Sequence, residues 1–275
     1  MKEGCGQATR RIAASAVVLA AIAFFAVVTA RLAGAAPADA LSDLLPRTQS
    51  NVEKFVEDFS YLRYEEDLVQ QKLTQHEKVA YKQETVFDSI VRMRYDEGKL
   101  RIDEQRIPEK SPRRVEPRPL LSTYGFSTLA MIFHPYYQSS FRFTRLEDGA
   151  LQGTSLARIH FEHIPGQPSP VLYQMIGADK PLELTGTAWI DSASGEIHRI
   201  EAAFSLESND LGLKAIRADL SYAPVILQDE SAPHLLPAVA TIDLETPRQH
   251  WRNIHHFVDY RKYRVTTNIP GASAQ

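Results

Sequence analysis

Beyond its first forty residues the chain alternates apolar and polar side chains with a period of two, and that rhythm breaks in two places. At residues 42–57, Leu44, Leu45, Val52, Phe55 and Val56 recur near 3.6 and predict one helix with one apolar face. Ser42 and Asp43 can cap it, and Pro46 is tolerated in a first turn. The runs "FSYLRYEEDLVQQKL" and "KVAYKQETVFDSIVRMRY" then predict long, polar-rich strands. "DEGK" at 96–99 predicts a turn on Gly98, and "LRIDEQRI" the returning strand. Pro108, Pro112, Pro117 and Pro119 predict a loop over 108–119.

The second break is "LLSTYGFSTLAMIFHPYYQSSF". Its apolar residues, from Leu121 through Leu129, Met131, Ile132 and Phe133, predict a helix over 121–133 that is apolar nearly all round and ends before Pro135. Strands resume near 140–147, 151–164, 171–178, 182–191, 196–207, 213–223, 234–246 and 250–266. Short turns between them predict an antiparallel meander, so the class is α+β with a dominant sheet.

The hairpin "LELTGTAWIDSASGEIHRIEAAF", residues 182–204, is the clearest local signal. Leu182, Leu184, Ala188 and Ile190 share one parity, and Thr185, Thr187 and Trp189 the other. Gly195 sits where the turn needs a left-handed residue, and Ile190 can pair with Ile197. A wide sheet with one greasy face must roll up, stack on a second sheet, or take helices onto that face. The two predicted helices favour the last: a large, half-open antiparallel β-barrel with an N-terminal helix and an apolar helix over its concave face.

"GTAWIDSASGEIHRIEA" followed by "DYRKYRV", with "GFSTLAMIFHPYYQSSF" upstream, resembles a group of secreted acidobacterial proteins over about residues 42–266. These are similar in pattern to the half-barrel superfamily of periplasmic outer-membrane lipoprotein carriers. The resemblance implies an incomplete barrel whose hollow is closed by helices and takes acyl chains or other lipids. No position here matches a functional residue of the carriers, so none is transferred.

The N-terminus changes the picture of location. Lys2, Arg10 and Arg11 precede an uncharged run from Ile12 to Ala30, and small residues follow. Residues 1–40 therefore read as a signal peptide cleaved near Ala35 or Ala40, or as an N-terminal membrane anchor if the apolar run stays attached. That leaves a single half-barrel domain over 41–268, a flexible tail over 269–275, and a protein that is periplasmic, secreted, or anchored to the inner membrane with its domain outside. Cys5 is the only cysteine and precedes the apolar run, so the domain has no disulfide and depends on its core. Residues 1–40 carry net charge +2, which leaves −5 on residues 41–275 of a chain at −3. That acidic body argues against a nucleic-acid partner; the basic stretch "KSPRRVEPR" reads as an exposed loop.

Candidate chemistry is sparse. His160 and His163 of "HFEH" point to opposite faces of a strand, as do His255 and His256, and "HEKVA" lacks a zincin's second histidine. No metal or cofactor is expected. No G-x-S-x-G elbow or phosphate loop occurs, and "YEED" at 64–67 reads as a solvated ladder. Trp189, Trp251, Tyr136, Tyr137, Phe141 and Phe143 either line a hollow or fill a core. The expectation is a non-catalytic envelope protein that binds a lipid or lipoprotein acyl chain in a hollow lined by Phe126, Leu129, Ile132, Phe133 and Trp189. The alternative is a structural or interaction protein with a filled core and no ligand.

Overall fold

Strand pairing carries the architecture, and every pair in it is antiparallel. The computed structural model describes residues 41–97, 99–110, 122–175, 178–204, 213–228 and 230–263. The expected signal segment, most of the 108–119 loop and the C-terminal tail lie outside the described residues. Helix α1 (Leu41–Phe59) opens the domain. Strands β1 (Leu62–Leu73), β2 (Val79–Asp96) and β3 (Lys99–Lys110) follow as a meander. The chain then passes through a 3-10 helix, η1 (Phe126–Phe133), and a one-turn helix, α2 (Pro135–Gln138). Next come β4 (Phe141–Arg145), β5 (Gly149–Leu151), β6 (Thr154–His163), β7 (Leu172–Met175) and β8 (Ala178–Pro181). The last strands are β9 (Leu184–Ile190), β10 (Ile197–Phe204), β11 (Ala215–Ile226), β12 (Pro233–Glu245) and β13 (His250–Lys262).

The main sheet has the order β3-β2-β1-β13-β12-β11-β10-β9-β6-β4, with β5 beside β6. It is open: β3 and β4 are its two ends and do not pair with each other. The first strand lies against the last, so the N-terminal hairpins extend the C-terminal meander. β7 and β8 form a separate two-stranded ribbon.

Alternation gives the sheet two distinct faces. One row across the inner face runs Ile159, Ala188, Ile200, Leu220, Ala240, His255 and Leu68. All seven are buried, and the row is apolar until it reaches His255. Helix α1 lies on this face with Leu44, Val52 and Phe59 buried. Phe59 stacks on Phe55 at 4.8 Å and on Tyr64 at 5.6 Å. Asp43 occupies the first turn, where a carboxylate suits the helix dipole, so Ser42 and Asp43 sit inside the helix rather than ahead of it. The η1 segment contacts α1, β10, β11 and β12.

Four sequence-based expectations change. The helix over 121–133 is a shorter 3-10 helix, interrupted at Thr128 by non-helical backbone (φ −105°, ψ 18°). Its start is set by Gly125 in the left-handed region (φ 74°), and the Thr128 hydroxyl donates to the Gly125 carbonyl at 2.8 Å. That side-chain bond competes with regular helical bonding, and Pro135 stops continuation at the other end. The strand expected over 151–164 begins instead at Thr154, because Gln152 and Gly153 both take positive φ and turn β5 back onto β6 as a tight hairpin. The strand expected over 171–178 is instead half of the β7-β8 ribbon. Pro108, expected in a loop, lies within β3, where an end strand tolerates a residue without an N–H.

The β9-β10 turn forms as expected, with an added reason for its glycine. Asp191 accepts from the amides of Ala193 and Ser194 at 2.9 and 2.7 Å. Gly195 has φ 78°, and a Cβ there would lie 2.8 Å from the α1 backbone at Arg47 and Thr48. The turn therefore packs directly against the helix.

Candidate functional site, a buried polar clasp beside a filled interior

The polar end of the inner face gathers charges that strand alternation alone would scatter. Glu66 on β1 is fully buried, and His255 on β13 is 1% exposed. His255 Nδ1 lies 2.5 Å from Glu66 Oε1. His255 Nε2 lies 2.8 Å from the hydroxyl of Thr123, and Asn253 Nδ2 donates to that same hydroxyl at 2.9 Å. Arg106 on β3 places Nε 2.8 Å from Glu66 Oε2 and an NH2 2.6 Å from Glu104 Oε1. It also donates to the Thr123 carbonyl at 2.6 Å, while Glu104 accepts from the Gly125 amide at 2.5 Å. Ser89 on β2 donates to Glu66 at 3.1 Å. Tyr124 lies under the Arg106 guanidinium, 4.5 Å away.

Four strands thus hold residues 123–125, the entry to η1, through side chains and backbone together. Donor counting orders the protons. Asn253 donates through Nδ2 to one lone pair of the Thr123 hydroxyl, and burial favours a neutral His255 ring, so the hydroxyl hydrogen points at Nε2. The imidazole is then neutral, with its proton on Nδ1 facing Glu66. Burial pushes the His255 pKa down, in keeping with that tautomer. Burial alone would raise Glu66, but the His255 bond and the Arg106 charge outweigh it and hold its carboxyl below the usual range. Burial raises Glu104, with only partial relief from Arg106.

This acid–imidazole–hydroxyl series has the connectivity of a nucleophile relay. Its burial and the Asn253 bond at the hydroxyl suit holding a segment in place rather than attacking a substrate. Spacing along the chain gave no sign of the cluster. Glu66 sits in the "YEED" stretch expected to be solvated, and the structure reverses that for this residue. Its inward parity, with Tyr64 and Leu68, was the available signal.

The residues expected to line a hollow separate into two groups. Leu129, Ile132 and Phe133 are buried in the core, and Phe133 packs on Phe143 at 5.1 Å. Phe126 and Leu129 border a cavity of about 10 Å³, with Leu184, Ala202, Phe204, Ile216 and Ala218 around it. That is room for about one water, against the roughly 300–1,000 Å³ of a ligand pocket. Trp189 is on the opposite face, because β9 alternates: Ala188 and Ile190 point inward, and Trp189 lies between Arg158 at 5.7 Å and Arg199 at 5.1 Å. Of the other aromatics, Tyr137 and Phe141 are buried, and Tyr136, Phe143 and Trp251 pack at the edge of the core.

The histidine readings hold their geometry. His160 faces outward, whereas His163 is buried with Nε2 3.2 Å from the Pro168 carbonyl. Among the described residues, no group of three or more His, Cys, Asp or Glu is placed to hold a metal ion, and no helix is long and apolar enough to cross a membrane.

Fold and site together define an open antiparallel sheet whose inner face is covered by helices and clasped at one end by buried charge. No family model matches the chain, and no curated protein matches it. Among solved structures it is similar to a LolA superfamily protein from Nitrosomonas europaea, at 10% identity and TM-score 0.41, over 80% of this chain and 95% of that one. It is also similar to a DUF1329 family protein from Desulfovibrio piger, at 8% identity and TM-score 0.40, over 84% and 95%. A third is an outer membrane lipoprotein-sorting protein domain from Vibrio parahaemolyticus, at 10% identity and TM-score 0.41, over 79% and 93%. Likeness at this level transfers no ligand, so the functional reading rests on the geometry above.

Proposed function

We propose that the protein is an exported, non-catalytic half-barrel that binds an apolar ligand, such as a lipid or lipoprotein acyl chain, on the inner face that η1 occupies in this conformation. One observation carries the reading: an interrupted 3-10 helix, rather than a regular helix, covers the apolar rows of β10, β11 and β12. Short 3-10 segments are weakly bonded internally and depend on what surrounds them. A ligand would take the place of η1 after release of the clasp at Thr123 and Gly125. Residues 1–40 would supply export, as a cleaved signal or a retained anchor.

A second reading has its own support. The cavity of about 10 Å³ beside Phe126 and Leu129 suits a core that is simply filled. The protein would then be an envelope structural or interaction protein without a ligand.

Lipid mass spectrometry on the purified chain, with titration of a fluorescent fatty acid, separates the two. Ligand exchange predicts bound acyl chains, or probe binding that tightens in Thr123→Val, where the clasp is loosened. Absence of both in the wild type and in Thr123→Val would sink the ligand reading and leave the filled-core one.

A further inference from the structure

The outer face carries a feature unrelated to η1. Two neighbouring rows of outward side chains cross five strands, from β6 to β12. The first is His160, Thr187, Glu201, Asp219 and Thr241; the second includes Thr185, Ala203, Arg217 and Asp243. Both rows line an open trough of about 590 Å³, within the range of ligand sites. The backbone of Gly186, Ala202 and Ala218, whose side-chain positions face inward, forms part of its floor. A Cβ on Gly186 would lie 2.0 Å from the Glu201 carbonyl and 2.5 Å from the Phe161 ring, so that position is closed to other residues. The adjoining row, Arg158, Trp189 and Arg199, is bulkier and borders the trough.

Charge selects the occupant. Glu201 and Asp219 each lie 2.6 Å from Arg199. Asp243 is 2.9 Å from both Arg252 and His250. Arg217 pairs with Glu245 at 3.2 Å. Each of these charges already has a partner at the rim, so an ionic ligand of either sign would compete with an existing pair. A neutral hydroxyl-rich ligand can use the same carboxylates, guanidinium and threonine hydroxyls as oriented acceptors and donors without disturbing their balance. The strands repeat these groups every ~4.8 Å, close to the interval between successive sugar rings.

We propose that this trough binds a neutral oligosaccharide. The site is independent of the inner face, so it stands or falls separately from the acyl-ligand reading. The test is titration of the intact domain with maltotriose, cellotriose and chitotriose, followed by calorimetry and amide chemical shifts, with a uronic-acid trisaccharide as the charged comparison. At least one neutral trisaccharide is expected to bind and to shift the amides of Thr187 and Thr241. Ala203→Trp, which fills the trough from a position outside the core, is expected to abolish binding while leaving thermal unfolding unchanged. Thr185→Tyr serves the same purpose if Ala203→Trp does not fold. Thr187→Val is expected to weaken binding roughly fivefold, as for one lost neutral hydrogen bond. Failure of every neutral trisaccharide to bind at millimolar concentration, binding untouched by the filling variant, or binding of the charged sugar alone would each overturn the proposal.

Discussion

Glu66 and His255 stand 189 positions apart in the chain, yet the carboxylate and imidazole meet at 2.5 Å inside the sheet. The contact exists because the first strand pairs with the last, which sets Glu66 opposite Phe257 and Leu68 opposite His255. Both groups are removed from water, and while Glu66 keeps Arg106 and Ser89 as partners, the His255 Nδ1 proton has Glu66 alone as its acceptor among the described residues. Glu66→Ala would leave buried His255 without its acceptor and Arg106 with one carboxylate instead of two. Loss of about 3–5 kcal/mol is expected, as for breaking a buried ion pair, measured by urea unfolding. Glu66→Gln keeps the volume and leaves Arg106 balanced by Glu104, so it is expected to lose less than Glu66→Ala.

The same pair makes stability depend on pH. His255 has a lowered pKa in the fold, so its contribution is complete above the ordinary histidine value of about 6.5. As pH falls through that value the unfolded chain takes up a proton that the native chain resists, and stability declines. Glu66, also lowered, adds a second decline below its ordinary value of about 4.3. Glu104 is raised and acts in the opposite sense: its contribution is present at low pH and fades as pH rises through its folded value. Urea midpoints are therefore expected to fall between pH 7 and pH 5. In His255→Gln, less stable overall, that interval is expected to be flatter.

Gly186 offers a test of how closely the sheet is built. Its missing side chain leaves the space used by the Phe161 ring and the β10 backbone. Gly186→Ala is expected to destabilise by about 1–3 kcal/mol through overpacking, read from thermal unfolding. Thr187→Ala, the next residue on β9, points outward and is expected to change stability by roughly 0.5 kcal/mol or less.

Much of the fold was legible because burial and alternation coincide. The 3.6 spacing of Leu44, Val52 and Phe55 belongs to α1, and the parity of Leu184, Ala188 and Ile190 is the inward set of β9. The 121–133 stretch was misread as a regular helix because uniform apolarity reports burial without reporting backbone bonding. Gly125, Thr128 and Pro135 decided the local geometry instead. The clasp was hidden for a different reason. Glu66, Arg106, Thr123 and His255 come from distant segments, and a single polar residue at an inward position looks in sequence like a fault in the pattern. Only strand order reveals that the faults on β1, β2, β3 and β13 face one another.

Thr123 gives the sharpest test of what that meeting does. Thr123→Val preserves shape but removes the hydroxyl shared by Asn253 and His255. His255 Nε2 then loses its partner and Asn253 loses one of its bonds, and a loss of about 1–3 kcal/mol is expected. Where the loss falls matters more than its size. If the cluster only supports the sheet, opening should spread across β1, β2 and β13. If it holds the entry to η1, amide exchange should accelerate between residues 125 and 134 while the amides of β10 and β11 keep their protection. Hydrogen exchange resolved by residue, on the wild type and Thr123→Val at pH 7, separates these outcomes. Selective exposure of η1 is the expected result, because Arg106, Glu104 and Asn253 bond to the backbone or side chains of that entry rather than to one another alone.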